Sequence, residues 1–526
     1  MENTLSREQL NSLSKDALID LFLQRQEEMS RKMDVLLEQL AAANNNRFGR
    51  KTEVIAEGQL CLFNEAEDLY STQYEEPAAE EVIGSYRRKK RAGKREEDLA
   101  GFPVKRIDHE LDEETLKAEF PDGFSRLSDE IYRKLEYHPA TQEVLEHHIA
   151  VYKGKSSGKI VKAPRPVEML DKSIATPSLA AAVMNAKYTN ALPLYRIEQE
   201  FERNDVHISR QVMANWMITL SERYLSLVYD RLKKEILSSS VIHADETPVM
   251  VTKDGREGMH KNYMWVYRSG EMCKANAAII YDYQKTRKQE HPREFLKEYD
   301  GTLVCDGYQV YHSLEEDGDG CFKVAGCWAH ARRPFSDAVK AVGAGKAKGT
   351  MANDALEQIA NIYYLDNALK KLPPSERKRK RKLLVKPEVD AFFKWLKDNR
   401  NSMLPGSKTG KGFEYCMNQE KYLRTFLTDP QVPLDNNAAE RAIRSFCVGK
   451  NNWKLIDTEN GARASAIIYS IVETAKANDL KIYEYLCFLL TEIPKHMEDH
   501  DLDFLEDLLP WATSLPEECR KAQKLN

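Results

Sequence analysis

No run of apolar residues approaches the ~18–20 residues that a membrane-spanning helix requires, so no membrane contact is expected. The opening stretch MENTLSREQL has no basic segment followed by an apolar core, so no secretory signal is expected either. Cysteine is sparse and scattered, at positions 61, 273, 305, 321, 327, 416, 447, 487 and 519, with no Cys-x-x-Cys pair. That excludes a small disulfide-built framework and fits a reducing cytoplasm. A dominant charge of one sign is also missing. The net charge of −5 over 526 residues is not the global footprint of a nucleic-acid-binding protein.

What is present is a globular chain. Hydrophobic residues make up 42% and charged residues 31%, and the length allows several domains with at least one sizeable core. Positive charge is local, in RRKKRAGKR at 87–95 and RKRKRK at 377–382. Such a run is either a solvated face or a phosphate contact.

The periodicity predicts a helix over residues 6–43, opened by SREQ as a capping box. Ile19, Phe22, Gln26, Met29, Met33, Leu36 and Leu40 fall on one heptad seam, which predicts a coiled coil within 1–46. Residues 47–101 carry few element signals and read as a linker with a basic run. Residues 102–168 read as a small β-rich domain. Residues 169–238 are helical, with a break at Asn204–His207 and Ser209 as N-cap of the following helix, the spacing of a helix-turn-helix. An ordinary helical hairpin has the same spacing.

From 239 to 335 the pattern becomes strands, opened by VIHADETPVM at 241–250. An unpaired carboxylate inside an apolar strand is costly, which singles out Asp245. Asp306 ends a later strand, after TLVC and before Gly307. Glu440 lies on a helix that Asp435 could cap. In a sheet where the first and fourth strands are neighbours and the last helix crosses their ends, the three acids meet. Carboxylates so grouped suit Mg²⁺, with Mn²⁺ as a substitute, and suit phosphodiester chemistry. Residues 336–428 read as a helical insertion, 429–478 as the end of the core with the Glu440 helix, and 479–526 as C-terminal helices.

HADETPV (243–249), CDGYQVYH (305–312), GCWAHARRPF (326–335) and LDNNAAERAIRSFCVGKNNW (434–453) closely resemble transposases of the insertion-sequence-66 family. GARASAIIYSIVETAKAN (461–478), NNRFGRKTE and LPLYRIEQEF are similar to the same family. The resemblance implies a multidomain α+β chain with an RNase H-like α/β catalytic core and Asp245, Asp306 and Glu440 as catalytic, metal-binding residues. It implies cleavage at insertion-sequence ends and strand transfer into target DNA. Its partners would be double-stranded DNA, a second copy or more of the chain, and small companion proteins, in the bacterial cytoplasm at the nucleoid. DNA-contact candidates are His243, Trp328, His330, Arg332, Arg333, Arg441, Arg444 and Lys450. For His243 and Trp328, plain packing is the competing reading. Members of the family usually carry a Cys-rich zinc segment after the linker. With no cysteine between Cys61 and Cys273, no zinc is expected in the 102–168 domain. The rival functions are a metal-dependent DNA nuclease that joins nothing and a domesticated, non-catalytic DNA-binding protein.

Overall fold

The computed structural model describes residues 141–521, apart from short gaps at 154–159, 259, 273–275, 318–321, 344–346 and 405, together with parts of a helix between 14 and 29. The expected linker with its basic run at 87–95, most of the expected coiled coil and residues 102–140 lie outside the described residues. On the described part of the N-terminal helix, the seam residues Ile19, Phe22 and Met29 are exposed. The described part of the expected β-rich domain contributes one antiparallel pair, β1 (Val151–Lys153) and β2 (Ile160–Lys162), with Val151 opposite Lys162.

Four helices precede the main sheet: α1 (Pro177–Met184), α2 (Leu194–Arg203), α3 (Arg210–Leu220) and α4 (Ser226–Leu237). Thr176 caps α1 by accepting from the Leu179 amide, with Pro177 in the first turn where its missing N–H costs nothing. Ser209 caps α3 by accepting from Val212 N at 3.3 Å. The turn between α2 and α3 passes through Asp205 at φ 59°, a left-handed position that Asp tolerates. The two-helix spacing read from the sequence is therefore present. Met213, Trp216, Met217 and Leu220, at helical i, i+3, i+4, i+7 intervals, are all buried. α3 thus gives its apolar face to the core and leaves Arg210, Gln211, Val212, Asn215 and Thr219 outside.

The main sheet contains β3 (Val241–Lys253), β4 (Lys261–Ser269), β5 (Ile279–Gln284), β6 (Thr302–Cys305) and β7 (Lys323–Gly326), in the order β5-β4-β3-β6-β7. β3, β4 and β5 pair antiparallel, while β6 and β7 run parallel to β3. All four residues of β6, TLVC, are buried, as expected of a strand covered on both faces. Successive residues alternate between two apolar cores. Ile242, Leu303 and Val324 belong to one, and Val241, Val304 and Ala325 to the other.

α5 (Glu290–Phe295) and α6 (Gln309–Glu316) cross between strands, and α7 (Trp328–Val342) follows β7. α7 runs straight through the boundary expected at 335/336. Its core is shared with α8 (Met351–Leu369), α10 (Lys386–Asn399) and α11 (Lys408–Asn418), followed by the short α12 (Glu420–Leu423), while α9 (Pro374–Lys380) joins α8 to α10. The RKRKRK run is divided by this packing. Arg377 and Arg381 are buried, whereas Lys378, Arg379 and Lys382 face out. Arg381 donates to both oxygens of Asp366 (2.6 and 3.0 Å) and to the carbonyls of Phe426, Asp429 and Val432 (2.7, 2.9 and 2.9 Å). It ties the helical segment to the loop leading to Glu440.

α13 (Asn437–Trp453) packs on β3 and β4. β8 (Ile456–Thr458) then pairs parallel with the far end of β3, and α14 (Glu459–Ala477) and α15 (Ile482–Glu492) complete the first core. Helices are expected over 479–526; α15 lies there, but beyond His496 a continuous helix is not formed. It is replaced by the four-residue α16 (Leu505–Leu508) and a single turn at Glu517–Cys519, because Pro510 and Pro516 interrupt the segment. Among the described residues, no helix is long and apolar enough to cross a membrane.

Candidate active site

β3 is longer than its neighbour. β6 pairs with it only at Val241–His243, and β8 takes it up again at Val251. Among the described residues, the intervening edge, Ala244 to Met250, has no strand beside it on that side. Pro248, which has no N–H to give a ladder, falls in this stretch. α13 and its entry loop occupy the space instead. Asn436 donates its amide to Ala244 O at 2.8 Å, and Lys450 donates to Pro248 O at 2.9 Å and to Thr247 Oγ1 at 3.1 Å.

The parallel register sets His243 opposite Val304. Carried two residues further, it sets Asp245 level with Asp306, just past the end of β6. Glu440 enters from the first turn of α13, where the helix dipole favours a negative charge. The three acids are close enough to act on one another. Burial pushes the Asp245 carboxyl well above its usual range, and Glu246, Asp306 and Glu440 push it further in the same direction. The one group stabilising its anion is the Glu246 amide, which donates to Oδ1 at 2.8 Å. The charges that act most strongly on Asp245 are all acidic.

Glu246 is treated differently. Burial and Asp306 raise its carboxyl to about 7, but Arg287 opposes them. Arg287 Nε donates to Glu246 Oε1 at 2.8 Å, and the guanidinium lies 3.8 Å from the centre of the Tyr308 ring. Tyr308 donates its hydroxyl to Arg287 O at 2.6 Å, and its amide donates to Asp306 Oδ1 at 2.9 Å. One chain of contacts therefore runs from the Asp245 strand through Arg287 to the Asp306 turn. Gly307 follows at once. A Cβ there would lie 2.8 Å from the Tyr415 ring of α11, so this turn has no room for a side chain.

The remaining sequence-predicted residues divide sharply. His330 Nδ1 and an Arg333 Nη2 lie 3.6 and 3.7 Å from Glu440 Oε1, at the rim of the acid cluster. Arg332 is half-buried, and its charge acts on the Tyr363 hydroxyl. Arg441 pairs with Glu271 at 2.7 Å, and Arg444 lies one turn beyond Glu440 on α13. Two candidates do not reach the surface. Trp328 is fully buried among Phe392, Phe393 and Phe426, with Nε1 donating to Leu423 O at 2.9 Å. It is a core residue and stacks on no base. His243 is 1% exposed and held to Asn436 Oδ1 at 2.9 Å. Burial lowers it to about 4, so it is neutral and positions the loop rather than touching DNA. Asp435 lies one residue before the N-cap position, which is Asn436, and accepts from the Asn437 amide at 3.2 Å.

Sequence reasoning missed Glu246, Arg287 and Tyr308. The adjacent acids of HADETPV and the tyrosines of CDGYQVYH were visible as signals; Arg287 carried none.

Comparison with known proteins gives consistent matches. The model described as Transposase IS66 family matches residues 172–464, and the IS66 C-terminal element matches 470–511. A third, described as Transposase C of IS166 homeodomain, matches 35–107, a stretch outside the described residues. Among similar chains are two uncharacterized proteins of Sinorhizobium fredii (strain NBRC 101917 / NGR234). Protein y4qI is 25% identical over 76% of this chain and 75% of its own length, and y4hP is 26% identical over 74% and 71%.

Proposed function

The chain belongs to the Transposase IS66 family, and on that footing we propose that it cuts DNA at insertion-sequence ends and joins the freed 3′ ends to target DNA, with Asp245, Asp306 and Glu440 as its catalytic carboxylates. The observation that carries this reading is the register of β3 on β6, which sets Asp245 level with Asp306 where Glu440 enters from α13, so that the strongest charges on Asp245 are other acids. A fold that balances Glu246 with Arg287 and leaves Asp245 unbalanced suits a cation from outside. The donors are all carboxylate oxygens, which fit Mg²⁺ or Mn²⁺. Bound there, the ion would activate the attacking oxygen and stabilise the leaving one.

The chain's own residues hold the arrangement. Asn436 fixes the start of the Glu440 helix to β3, and Lys450 fixes its far end. Arg287 and Tyr308 hold the Asp306 turn. His330 and Arg333 stand at the rim, where a phosphate would approach Glu440. The strand order β5-β4-β3-β6-β7, with three antiparallel strands and two parallel ones, supports an RNase H-like core. The homeodomain description of the 35–107 match supports binding to double-stranded DNA. Holding two DNA ends together calls for at least two copies of the chain, in company with the small proteins such elements encode.

The test is purified full-length protein with Mg²⁺ and labelled DNA carrying the element's own ends plus a target plasmid. Cleavage followed by joined product is expected, with both lost in Asp245→Asn. Cleavage without any joined product would favour a nuclease. Binding with neither would favour a non-catalytic DNA-binding protein.

A further inference from the structure

Glu440 has neighbours of a different chemistry from the two aspartates. Cys327, which follows β7 as the N-cap residue of α7, and His330 on the first turn of α7 both lie beside it. One ligand atom from each of Cys327, His330 and Glu440 lies within 4.8 Å of the other two. A sulfur, an imidazole nitrogen and a carboxylate oxygen are a donor set for zinc or cobalt, not for magnesium.

The sulfur already has donors beside it. The Asn436 amide donates to Cys327 Sγ at 3.2 Å, and the His330 amide donates to it as well. Burial, Glu440 and Asp435 nevertheless hold the free thiol protonated, so its proton would leave only when a metal replaces it. Glu440 and Asp435 both act on that sulfur, so the local field favours a cation. Cys327 itself is fully buried, but His330 and Glu440 keep 23% and 21% of their side chains exposed and provide the way in.

We propose that Cys327, His330 and Glu440 form a second cation site, selective for thiophilic ions such as Zn²⁺ or Co²⁺, which competes with magnesium for Glu440. On binding, the metal–sulfur bond replaces the S–H bond and the thiol proton passes to solvent. No redox change is involved. An ion held there draws Glu440 away from Asp245 and Asp306, so thiophilic metals inhibit the protein even when Mg²⁺ is in excess. The inhibition rests on the role proposed above for Glu440; the site itself does not.

The experiment titrates Co²⁺ into the full-length protein and follows thiolate-to-cobalt absorption and tetrahedral d–d bands. Both are expected in the parent protein and in Asp245→Asn. Cys327→Ser should lose the thiolate band, and His330→Ala should lose tetrahedral intensity. Each substitution should weaken binding by more than about tenfold, the lower end of what removing even a supporting group costs a metal site. Zn²⁺ inhibition of cleavage, measured within each variant as the ratio with and without Zn²⁺, should fall in parallel. If Cys327→Ser melts early, His330→Ala decides alone. A parent protein with no thiolate band, or a band that survives Cys327→Ser, overturns the site. Co²⁺ binding as described but without Zn²⁺ inhibition of an active protein overturns the competition for Glu440. Absence of cleavage altogether would count against the proposed function and leave the spectroscopic result standing.

Discussion

Asp366 is a buried carboxylate and Asp245 a half-buried one, and the protein treats them in opposite ways. Asp366, on α8, receives two donors from Arg381, whose other hydrogens go to three carbonyls. Every charge there has its partner, and the result is a joint between the helical segment and the loop ahead of α13. Asp245 receives one backbone amide and faces three further acids. The first arrangement holds the fold together. The second costs stability in the isolated chain, and such a cost persists where a ligand offsets it.

The largest contrast comes from neutralising each acid in turn. Asp245→Asn should lower cleavage by at least about a thousandfold, a barrier increase of about 4 kcal/mol. In metal-free buffer it should melt above the parent, because it removes a repelled charge. Asp366→Asn should do the reverse. Arg381 would be left as a buried uncompensated charge, at a cost of about 3–5 kcal/mol, and activity per folded molecule should be kept. Cleavage assays beside calorimetry separate the two. A parent-like cleavage rate in Asp245→Asn would sink the proposed mechanism.

Next in size is Arg287→Ala, which leaves Glu246 without its cation and Tyr308 without its packing partner. The Asp306 turn then loosens, and small misplacements at a reacting centre cost up to about 100-fold. A fall in kcat of about tenfold or more is expected, with KM for DNA little changed. Arg287→Lys should recover part of it, since the charge returns but the planar stack on Tyr308 does not. A KM effect alone would mean that Arg287 contacts DNA rather than holding the turn.

Stability against pH tests the same contrast with a smaller signal. Glu246 and Asp245 have folded values above their unfolded ones, so the folded state holds more protons. Their contribution is complete below an unfolded value of about 4 and is lost as pH rises, for Glu246 through about 7. His243, lowered to about 4, acts in the opposite direction, and its stabilisation grows as pH rises towards about 6.5. Above that, of these three groups only the carboxylates still act, opposed near pH 8 by Lys187, which burial lowers to about 8. Metal-free protein should therefore lose melting temperature from about pH 6.5 to 8, and Mg²⁺ should abolish the loss. A flat profile without metal would mean that the acids are already balanced.

How far the sequence revealed this depends on the element. β3, β6 and β7 were legible because apolar runs bounded by Gly and Asp state a buried strand directly. The meeting of Asp245, Asp306 and Glu440 followed from strand order, and the register of β3 on β6 agrees with it. The open edge of β3 was not legible, because it depends on where β6 stops and β8 begins. For Trp328 and His243, packing, the competing reading, is the one the structure has. A sequence shows that an aromatic or imidazole lies near a motif, but not which face of α7 or β3 turns inward. The C-terminal helices expected over 479–526 shorten beyond His496 for a local reason, Pro510 and Pro516 outweighing a leucine-rich pattern.

The smallest predicted effect concerns the basic run, where the comparison can be repeated within six residues. Arg377 and Arg381 are buried one helical turn apart, while Lys378 and Lys382, also one turn apart, lie outside. Replacing both lysines by alanine removes two solvated charges and no packing. Stability should stay within about 0.5 kcal/mol of the parent, the usual range for surface changes. If the outward lysines meet DNA, each phosphate left without its lysine should reduce the slope of log affinity against log salt by about one, equally for every DNA sequence. We expect that reduction, because the run supplies more cations than the fold consumes and Asp366 is the acid that its inward side meets. An unchanged salt slope would assign the outward lysines to solvation alone. A large drop in melting temperature would mean that the division of the run into a buried and a solvated face is wrong, and with it the joint that Arg381 makes.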